Sequence, residues 1–253
     1  MAESTIEWTE VTWNPVTGCK KISPGCKFCY AEVMSRRLKS MGVEKYNGGF
    51  QIRVHPTSLN IPFTWKKSKV VFVNSMSDLF HDEIPDDFIL SVFAVMNQTP
   101  QHTYQVLTKR SDRLLKIADK IDWTPNIWMG VSVENQDYAF RANDLVQTDA
   151  KVKFLSVEPL LGPVHLLPIK KLDWIIVGGE SGHKARRLEL SWIIPLRDMC
   201  IKHDVPFFFK QWGKPKFNSD IEDPTIDKNH PQHAKGGCQL EGQIYRAMPR
   251  VLN

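Results

Sequence analysis

Three cysteines within eleven residues constrain this chain more than any other feature of its sequence. Cys19, Cys26 and Cys29 lie in the segment 18–30, with six residues between the first pair and two between the second. The Pro-Gly pair before Cys26 allows the chain to bend tightly at this point. Such a group of thiolates on one loop indicates a zinc or iron–sulfur site.

The two kinds of site need different numbers of ligands. Structural zinc takes a closed set of four ligands, so three cysteines leave one position unfilled unless Cys238, Asp78 or a histidine supplies it. An iron–sulfur cubane held by only three cysteines leaves one iron open to a small molecule. The open position favours the cubane over zinc.

Composition sets wide limits on function. The 253 residues carry a net charge of +5, which permits a nucleic-acid or nucleotide partner without requiring one. The start of the chain has no basic and apolar signal pattern, and no apolar run reaches the roughly 20 residues needed to span a bilayer. We therefore expect a cytoplasmic protein without a membrane partner.

The cysteines outside the loop have a simpler interpretation. In the cytoplasm, five cysteines argue against disulfides. Cys200 lies in an apolar helical pattern and is expected to be a core residue.

Seven short apolar runs alternate with helical patterns along most of the chain. The predicted strands cover residues 11–13, 70–74, 104–107, 127–131, 152–155, 174–177 and 207–209. The predicted helices cover residues 30–41, 86–96, 113–121, 136–146 and 191–203, with Ala31, Val33, Met34 and Leu38 as the apolar positions of the first. This alternation predicts an α/β fold with a parallel sheet covered on both faces.

A closed or partly closed βα barrel and an open doubly wound sheet both fit this alternation. We favour a parallel (β/α) barrel, complete or partial, because nearly every strand ends in polar residues, and in a barrel these ends meet at one mouth. The expected barrel covers residues 1–212, with the cysteine loop at 18–30 and an irregular insertion at about 44–68. Residues 213–253 are expected to be a loosely structured extension packed on the barrel.

The polar strand ends provide the candidate functional residues. Helix capping explains Ser75, Ser77, Asp78, Ser132 and Ser156 in part, because Ser and Asp often begin helices. It does not explain the charged residues as well, and these are Lys109, Glu134, Glu158, Glu180 and Lys210. We take Lys109, Glu134, Glu158 and Lys210 as catalytic candidates, with paired structural supports as the alternative. A basic loop, His183 to Arg187, is a candidate phosphate contact or a solvated surface.

The segments around these residues resemble a family of phage-type proteins with the same three-cysteine loop. The resemblance is carried by residues 13–19, 23–32, 74–80, 107–110, 130–135, 156–160, 178–182 and 209–213, and covers nearly the whole chain. That family is regarded as radical S-adenosylmethionine-like and as distantly similar to spore photoproduct lyase.

The resemblance implies a radical S-adenosylmethionine enzyme. Its [4Fe-4S] cluster on Cys19, Cys26 and Cys29 would cleave S-adenosylmethionine to a 5′-deoxyadenosyl radical, which acts on a substrate at the barrel mouth. A reductant such as flavodoxin or ferredoxin would deliver the electron. The kinship with photoproduct lyase, the phage association and the basic loop suggest a nucleobase or nucleic acid as the substrate.

Two features depart from the usual pattern of such enzymes. Their loop has three residues between the first two cysteines, whereas this one has six. Their Gly-Gly-Glu, which holds the amino group of the cofactor, lies on the second strand, whereas Gly178-Gly179-Glu180 follows the sixth. We therefore assign amino-group recognition to Ser75, Ser77 and Asp78.

The remaining cofactor contacts are expected from other strand ends and from the loop. Phe28 would place its ring beside the adenine. Gly178 and Gly179 would let the backbone approach the adenine or the substrate closely. The other residues expected to bind the cofactor are Ser132, Glu134 and Glu180.

Two other hypotheses stay open at this point. The first is a zinc-stabilised protein that binds nucleic acid or a partner and has no catalytic role. The second keeps the cluster for structure or electron transfer alone.

Overall fold

The apolar runs form parallel strands, as the sequence predicts. The computed structural model describes residues 6–220 and 222–250. Its strands are β1 (Val11–Trp13), β2 (Val16–Thr17), β3 (Arg53–Val54), β4 (Val70–Val73), β5 (Thr103–Thr108), β6 (Ile127–Ser132), β7 (Val152–Val157), β8 (Trp174–Gly178), β9 (Phe207–Gln211), β10 (Gln239–Leu240) and β11 (Gln243–Ile244). Its α-helices are α1 (Tyr30–Ser40), α2 (Asp86–Gln98), α3 (Ser111–Ile117), α4 (Phe140–Leu145) and α5 (Leu190–Lys202). All seven predicted strands and all five predicted helices are confirmed.

Two of the helices are shorter than predicted. Residues 118–120 continue α3 as a 3-10 turn, and residues 136–138 form a separate 3-10 turn before α4. The second break follows from Asn135, whose side chain accepts a hydrogen bond from the Asp137 backbone N–H at 3.1 Å. A side chain that bonds nearby backbone in this way competes with the regular helical ladder.

The described chain divides into two compact units. The first consists of residues 6–131 and 147–152, and the second of residues 132–146 and 153–250. Both are α/β units with parallel strands, which confirms the fold class at that level. No helix in the part of the chain that the structure describes is long and apolar enough to span a bilayer.

In the first unit, β1, β4, β5 and β6 pair in parallel and follow the order of the chain. Val71 lies opposite Val11 on one side and Tyr104 on the other. Val71, Val73 and Val106 are fully buried, and α2 adds Ile89, Val92, Phe93 and Met96 to the same core. The strands are therefore apolar on both faces, as in other parallel sheets.

Residues 44–68 are more closely tied to the first unit than an irregular insertion would be. They contain β3, which pairs antiparallel with β2, and three short 3-10 turns. Tyr46 and Trp65 are buried. The Trp13 indole N–H donates to the Ser58 carbonyl oxygen at 2.8 Å, which joins this segment to β1.

The first helix packs through a different face from the one predicted. Ala31 is buried and contacts Tyr46 and Met76, with Leu38 beside them. Val33 and Met34, which were expected on the apolar inner face, are 66% and 40% exposed. The expectation was wrong for these two residues because small side chains, Ala31 and Ser35, form the inner face of α1.

In the second unit, β7, β8 and β9 pair in parallel, again in chain order. Ile175, Ile176 and Val177 of β8 are fully buried, and so are Ile193 and Leu196 of α5. Cys200 of α5 is fully buried, which confirms it as a core residue. Burial raises the pKa of its thiol to about 12.

The described part of residues 213–250 has little regular structure, as predicted, but it contains an ordered polar cluster. Asp223 accepts hydrogen bonds from the Asn218 side chain at 2.9 Å and from the Thr225 hydroxyl at 2.6 Å. It also accepts from the Gln239 backbone N–H at 3.0 Å. Because the buried groups are satisfied by one another, the segment keeps a defined path without helices.

Candidate functional site

The cysteine loop, residues 18–30, connects β2 to α1 in the first unit. Pro24–Cys26 form one 3-10 turn, and Cys29 is the residue that caps the start of α1. Cys19, Cys26 and Cys29 are all half-buried and make no disulfide. The loop thus keeps three reduced thiols within one short, turned segment.

Gly18 fixes the start of this loop. Its backbone N–H donates to the Met76 carbonyl oxygen at 3.1 Å, beside the end of β4. Its φ is +82°, and an added Cβ would lie 2.1 Å from the Gln51 carbonyl oxygen. Only glycine fits a backbone approach of this kind in the left-handed region.

Replacing Gly18 with alanine is expected to destabilise the protein strongly. The matched control is Gly42→Ala, because Gly42 has φ +73° but nothing within 4 Å of its missing Cβ. The control should lower the free energy of unfolding by about 1 kcal/mol, and Gly18→Ala by about 3 kcal/mol or more. Urea unfolding measures both. Equal losses would show that the contact with Gln51 does not constrain the loop.

A buried guanidinium connects the loop to the ends of β4 and β5. The Arg110 Nη1 atom donates to the Cys19 Sγ atom at 3.6 Å and to Asp78 Oδ2 at 3.0 Å. Its Nη2 atom donates to the Lys20 carbonyl oxygen at 3.0 Å. Both side chains of this ion pair are buried: Arg110 is 5% exposed and Asp78 is 9% exposed. Sequence reasoning included Arg110 in a family segment but gave it no role.

Asp78 is held in place by the backbone around it. Its Oδ1 atom accepts from the Thr108 hydroxyl at 2.7 Å and from the Phe80 N–H at 3.0 Å. Its Oδ2 atom accepts from the Lys109 N–H at 3.1 Å in addition to Arg110. The carboxylate therefore orients the guanidinium, and its predicted contact with a cofactor amino group stays a prediction.

The electrostatic surroundings of Cys19 oppose the thiolate in the absence of a metal. Burial and the Asp78 carboxylate raise the pKa of this thiol to about 11, and the Arg110 guanidinium reduces the shift. A positively charged inorganic group bound at the sulfur would instead favour the thiolate and lower the pKa, because metal ligation requires and stabilises the deprotonated form.

Ser75 and Ser77 join the end of β4 to the residues before the loop. The Ser75 hydroxyl donates to Asn14 Oδ1 at 3.2 Å, and the Ser77 hydroxyl donates to the Val16 carbonyl oxygen at 2.9 Å. Tyr30 donates its hydroxyl proton to the Ser75 carbonyl oxygen. Both serines thus lie next to the cysteine loop in the same unit, where they were expected.

An open groove of about 800 Å³ lies beside Cys19. Its walls come from the loop, from the segment 49–52 and from the side of α1 that carries Glu32, Arg36 and Lys39. This volume is within the range of pockets that hold small molecules, about 300–1,000 Å³. Phe28 is half-buried in the loop with the Lys27 ammonium 5.5 Å from its ring centre.

Lys109 directly follows β5 in the first unit, and the remaining predicted residues lie in the second unit. Glu134 is fully buried, and its Oε2 atom accepts from Arg141 Nη1 at 2.9 Å. The same nitrogen donates to the Ser132 carbonyl oxygen at 2.9 Å, and the Tyr138 ring lies 4.5 Å from the guanidinium. These contacts favour a structural role for Glu134 over a catalytic one.

Glu158 and Lys210 form a partly exposed ion pair at the ends of β7 and β9. The Lys210 Nζ atom lies 3.2 Å from Glu158 Oε1, and the Ser156 hydroxyl lies 3.3 Å from Oε2. An added Cβ on Gly178 would lie 2.6 Å from Glu158 Oε1, so glycine makes room for the carboxylate. Of the four catalytic candidates, Glu158 and Lys210 thus contact each other directly.

Glu180 and Gly179 have protein partners of their own. Arg186 binds Glu180 through two nitrogen–oxygen contacts of 2.9 and 2.7 Å. An added Cβ on Gly179 would lie 2.3 Å from the Trp212 carbonyl oxygen. The backbone at Gly179 therefore lies close to that of Trp212, and the predicted approach of Gly179 to the adenine or the substrate stays a prediction.

The nature of any group that the three thiols hold stays a prediction. Among the described residues, no group of three or more His, Cys, Asp and Glu side chains converges to hold one metal ion. The Arg110 Nε atom is buried without a hydrogen-bond partner in the described chain, so this guanidinium retains an unused donor beside Cys19.

The fold and the site define a parallel α/β protein with a three-thiol loop at the ends of its strands. This chain belongs to the family described as "Protein of unknown function (DUF5131)", whose model matches residues 3–249. No curated protein and no solved structure matches the chain. The family description contains no statement on radical chemistry, so that interpretation stays a prediction.

Proposed function

We propose that this protein is a radical S-adenosylmethionine-type enzyme whose Cys19, Cys26 and Cys29 hold a [4Fe-4S] cluster. The observation that carries the proposal is the set of three half-buried, reduced thiols on one loop at the ends of β4 and β5. The chemistry supplied by the bound cluster is one-electron cleavage of S-adenosylmethionine, which yields a 5′-deoxyadenosyl radical for hydrogen abstraction.

The order of the strands supports a barrel of the radical S-adenosylmethionine type. In each unit the parallel strands follow the order of the chain, without the reversal that defines a doubly wound sheet. In a barrel, full or partial, all strand ends lie around one mouth. The Glu158–Lys210 pair would then be available to position a substrate or move a proton.

The residues of the first unit have separate tasks in this proposal. Arg110 steadies the Cys19 sulfur by donating a hydrogen bond to it, and Asp78 orients Arg110. The groove beside Cys19 would provide space for S-adenosylmethionine. Phe28, Ser75 and Ser77 are not among its lining residues and lie on the nearby loop and strand end. A nucleobase or nucleic acid remains our proposed substrate.

We also propose a cytoplasmic location for this enzyme, where thiols stay reduced.

Anaerobic purification followed by reconstitution with iron and sulfide tests the proposal. We expect a brown protein with about four irons per chain. With a reductant and S-adenosylmethionine, it should release 5′-deoxyadenosine, which mass spectrometry detects. A colourless protein with one zinc per chain would support the non-catalytic zinc hypothesis instead. A stable cluster without 5′-deoxyadenosine would show that the cluster serves structure or electron transfer.

A further inference from the structure

The net positive charge of the chain is concentrated around the cysteine loop. Residues 18–41 contain six Lys and Arg side chains and one Glu, a formal charge of +5. The whole chain also has a net charge of +5, so the remaining residues hold equal numbers of basic and acidic side chains. All six basic side chains of this segment are exposed, and they are Lys20, Lys21, Lys27, Arg36, Arg37 and Lys39.

The carboxylates near this surface do not remove its positive field. Glu32 lies 2.8 Å from Lys21 and 2.5 Å from Arg36, and Glu83 pairs with Lys20. Exposed ion pairs of this kind are weak and easily exchanged. Even with both carboxylates counted, the basic side chains stay in excess, so the surface attracts a negatively charged partner.

Apolar side chains are exposed among these basic residues. Tyr30, Val33 and Met34 lie on the outer face of α1, and Met41 follows at the same helical spacing. Val33 and Met41 are 66% and 65% exposed. Met, aromatic and Arg side chains are enriched in protein–protein interfaces, whereas a phosphate backbone provides no apolar surface to cover them. The mixture favours an acidic protein over a nucleic acid.

We propose that the cysteine-loop surface, the exposed side chains of residues 18–41, docks an acidic one-electron donor protein. This inference rests on the proposed function, because the donor would be oxidised by one electron and the cluster on the three thiols reduced by one. Small, charge-steered contacts are typical of electron-transfer partners. The basic side chains lie on the same loop as the thiols, so docking here brings donor and acceptor close together.

Two variants and one control test this surface. Arg37→Glu changes the charge, and Val33→Asp removes apolar area and adds a negative charge on the outer face of α1. Lys202→Glu makes the same change of charge as Arg37→Glu on the exposed end of α5. The probe is flavodoxin, an acidic flavoprotein, and dithionite is the reference because a small reductant does not need the docking surface.

Stopped-flow absorbance measures how fast reduced flavodoxin reduces the cluster-loaded protein, because reduction lowers the visible absorbance of the cluster. We expect the rate to fall about tenfold or more between 0.05 and 0.5 M salt, because screening weakens steering. Arg37→Glu and Val33→Asp should each slow it about fivefold or more, whereas Lys202→Glu and all dithionite rates should match the wild type. Equal flavodoxin rates in all variants would overturn the docking proposal.

Calorimetric titration of the cluster-free chain with oxidised flavodoxin separates docking from the proposed function. Binding that Arg37→Glu weakens supports the surface, and its absence overturns the proposal. Tighter binding of a DNA or RNA oligonucleotide to the same face would assign the surface to nucleic acid and also overturn it. A chain that never holds a cluster would instead refute the proposed function, together with the electron-transfer purpose of the surface.

Discussion

Replacing Cys19, Cys26 and Cys29 together with serine is expected to abolish iron binding and all activity that depends on it. Serine removes the soft thiolate ligand while leaving a side chain of similar shape. After anaerobic reconstitution, the wild type should hold about four irons per chain, and the triple variant at least about tenfold fewer. The fold should persist with some loss of stability, because all three side chains are only half-buried and Cys29 alone packs against the cluster of Ala31, Tyr46 and Met76. Iron analysis, absorbance and circular dichroism give these results.

Cys200 provides the matched control for this variant. It is fully buried in α5 and belongs to the apolar core of the second unit. Cys200→Ala should keep the full iron content, although it lowers the stability by removing buried volume. A triple serine variant that still holds four irons would show that the loop thiols do not bind the cluster.

Replacing Arg141 with methionine is expected to cost about 3–5 kcal/mol of unfolding free energy. The change removes the guanidinium from a Glu134 carboxylate that has no solvent exposure. A buried charge that loses its partner is far more costly than the intact pair is favourable. Urea unfolding at pH 7 measures the loss.

The double variant Glu134→Leu/Arg141→Met distinguishes structure from catalysis at this pair. If Glu134 only supports the fold, the double variant should recover most of the stability, because apolar residues of similar size often replace buried pairs well. It should also keep the release of 5′-deoxyadenosine. Recovered stability without that activity would return Glu134 to the catalytic candidates.

The sequence predicted the regular elements well because parallel strands are apolar on both faces. Residues such as 127–131 leave few alternatives, since a short buried run between two helical patterns fits a strand best. The orientation of α1 was harder to predict. Val33 and Met34 fit an inner apolar face by spacing, and only the tertiary packing on Ala31 and Ser35 shows that they face outward.

The candidate site was predictable in its residue types and much less so in its pairings. The cysteine spacing and the polar strand ends identified Cys19, Asp78, Glu158 and Lys210. The sequence could not show that Asp78 holds Arg110 against a cysteine sulfur, because these residues are far apart in the chain. One signal was present: a buried arginine requires a carboxylate partner, and Asp78 follows β4, the strand that pairs with β5 just before Arg110.

The burial of Cys200 and Cys238 gives the protein a built-in standard for chemical labelling. Both thiols are fully covered, whereas the three loop thiols are partly open to solvent. Alkylation of the native chain should therefore add labels to the loop alone, most slowly at Cys19 because the raised pKa of its thiol leaves little thiolate, and unfolding should expose the other two. Intact mass before and after unfolding would then count how many loop sulfurs a bound group protects in any preparation.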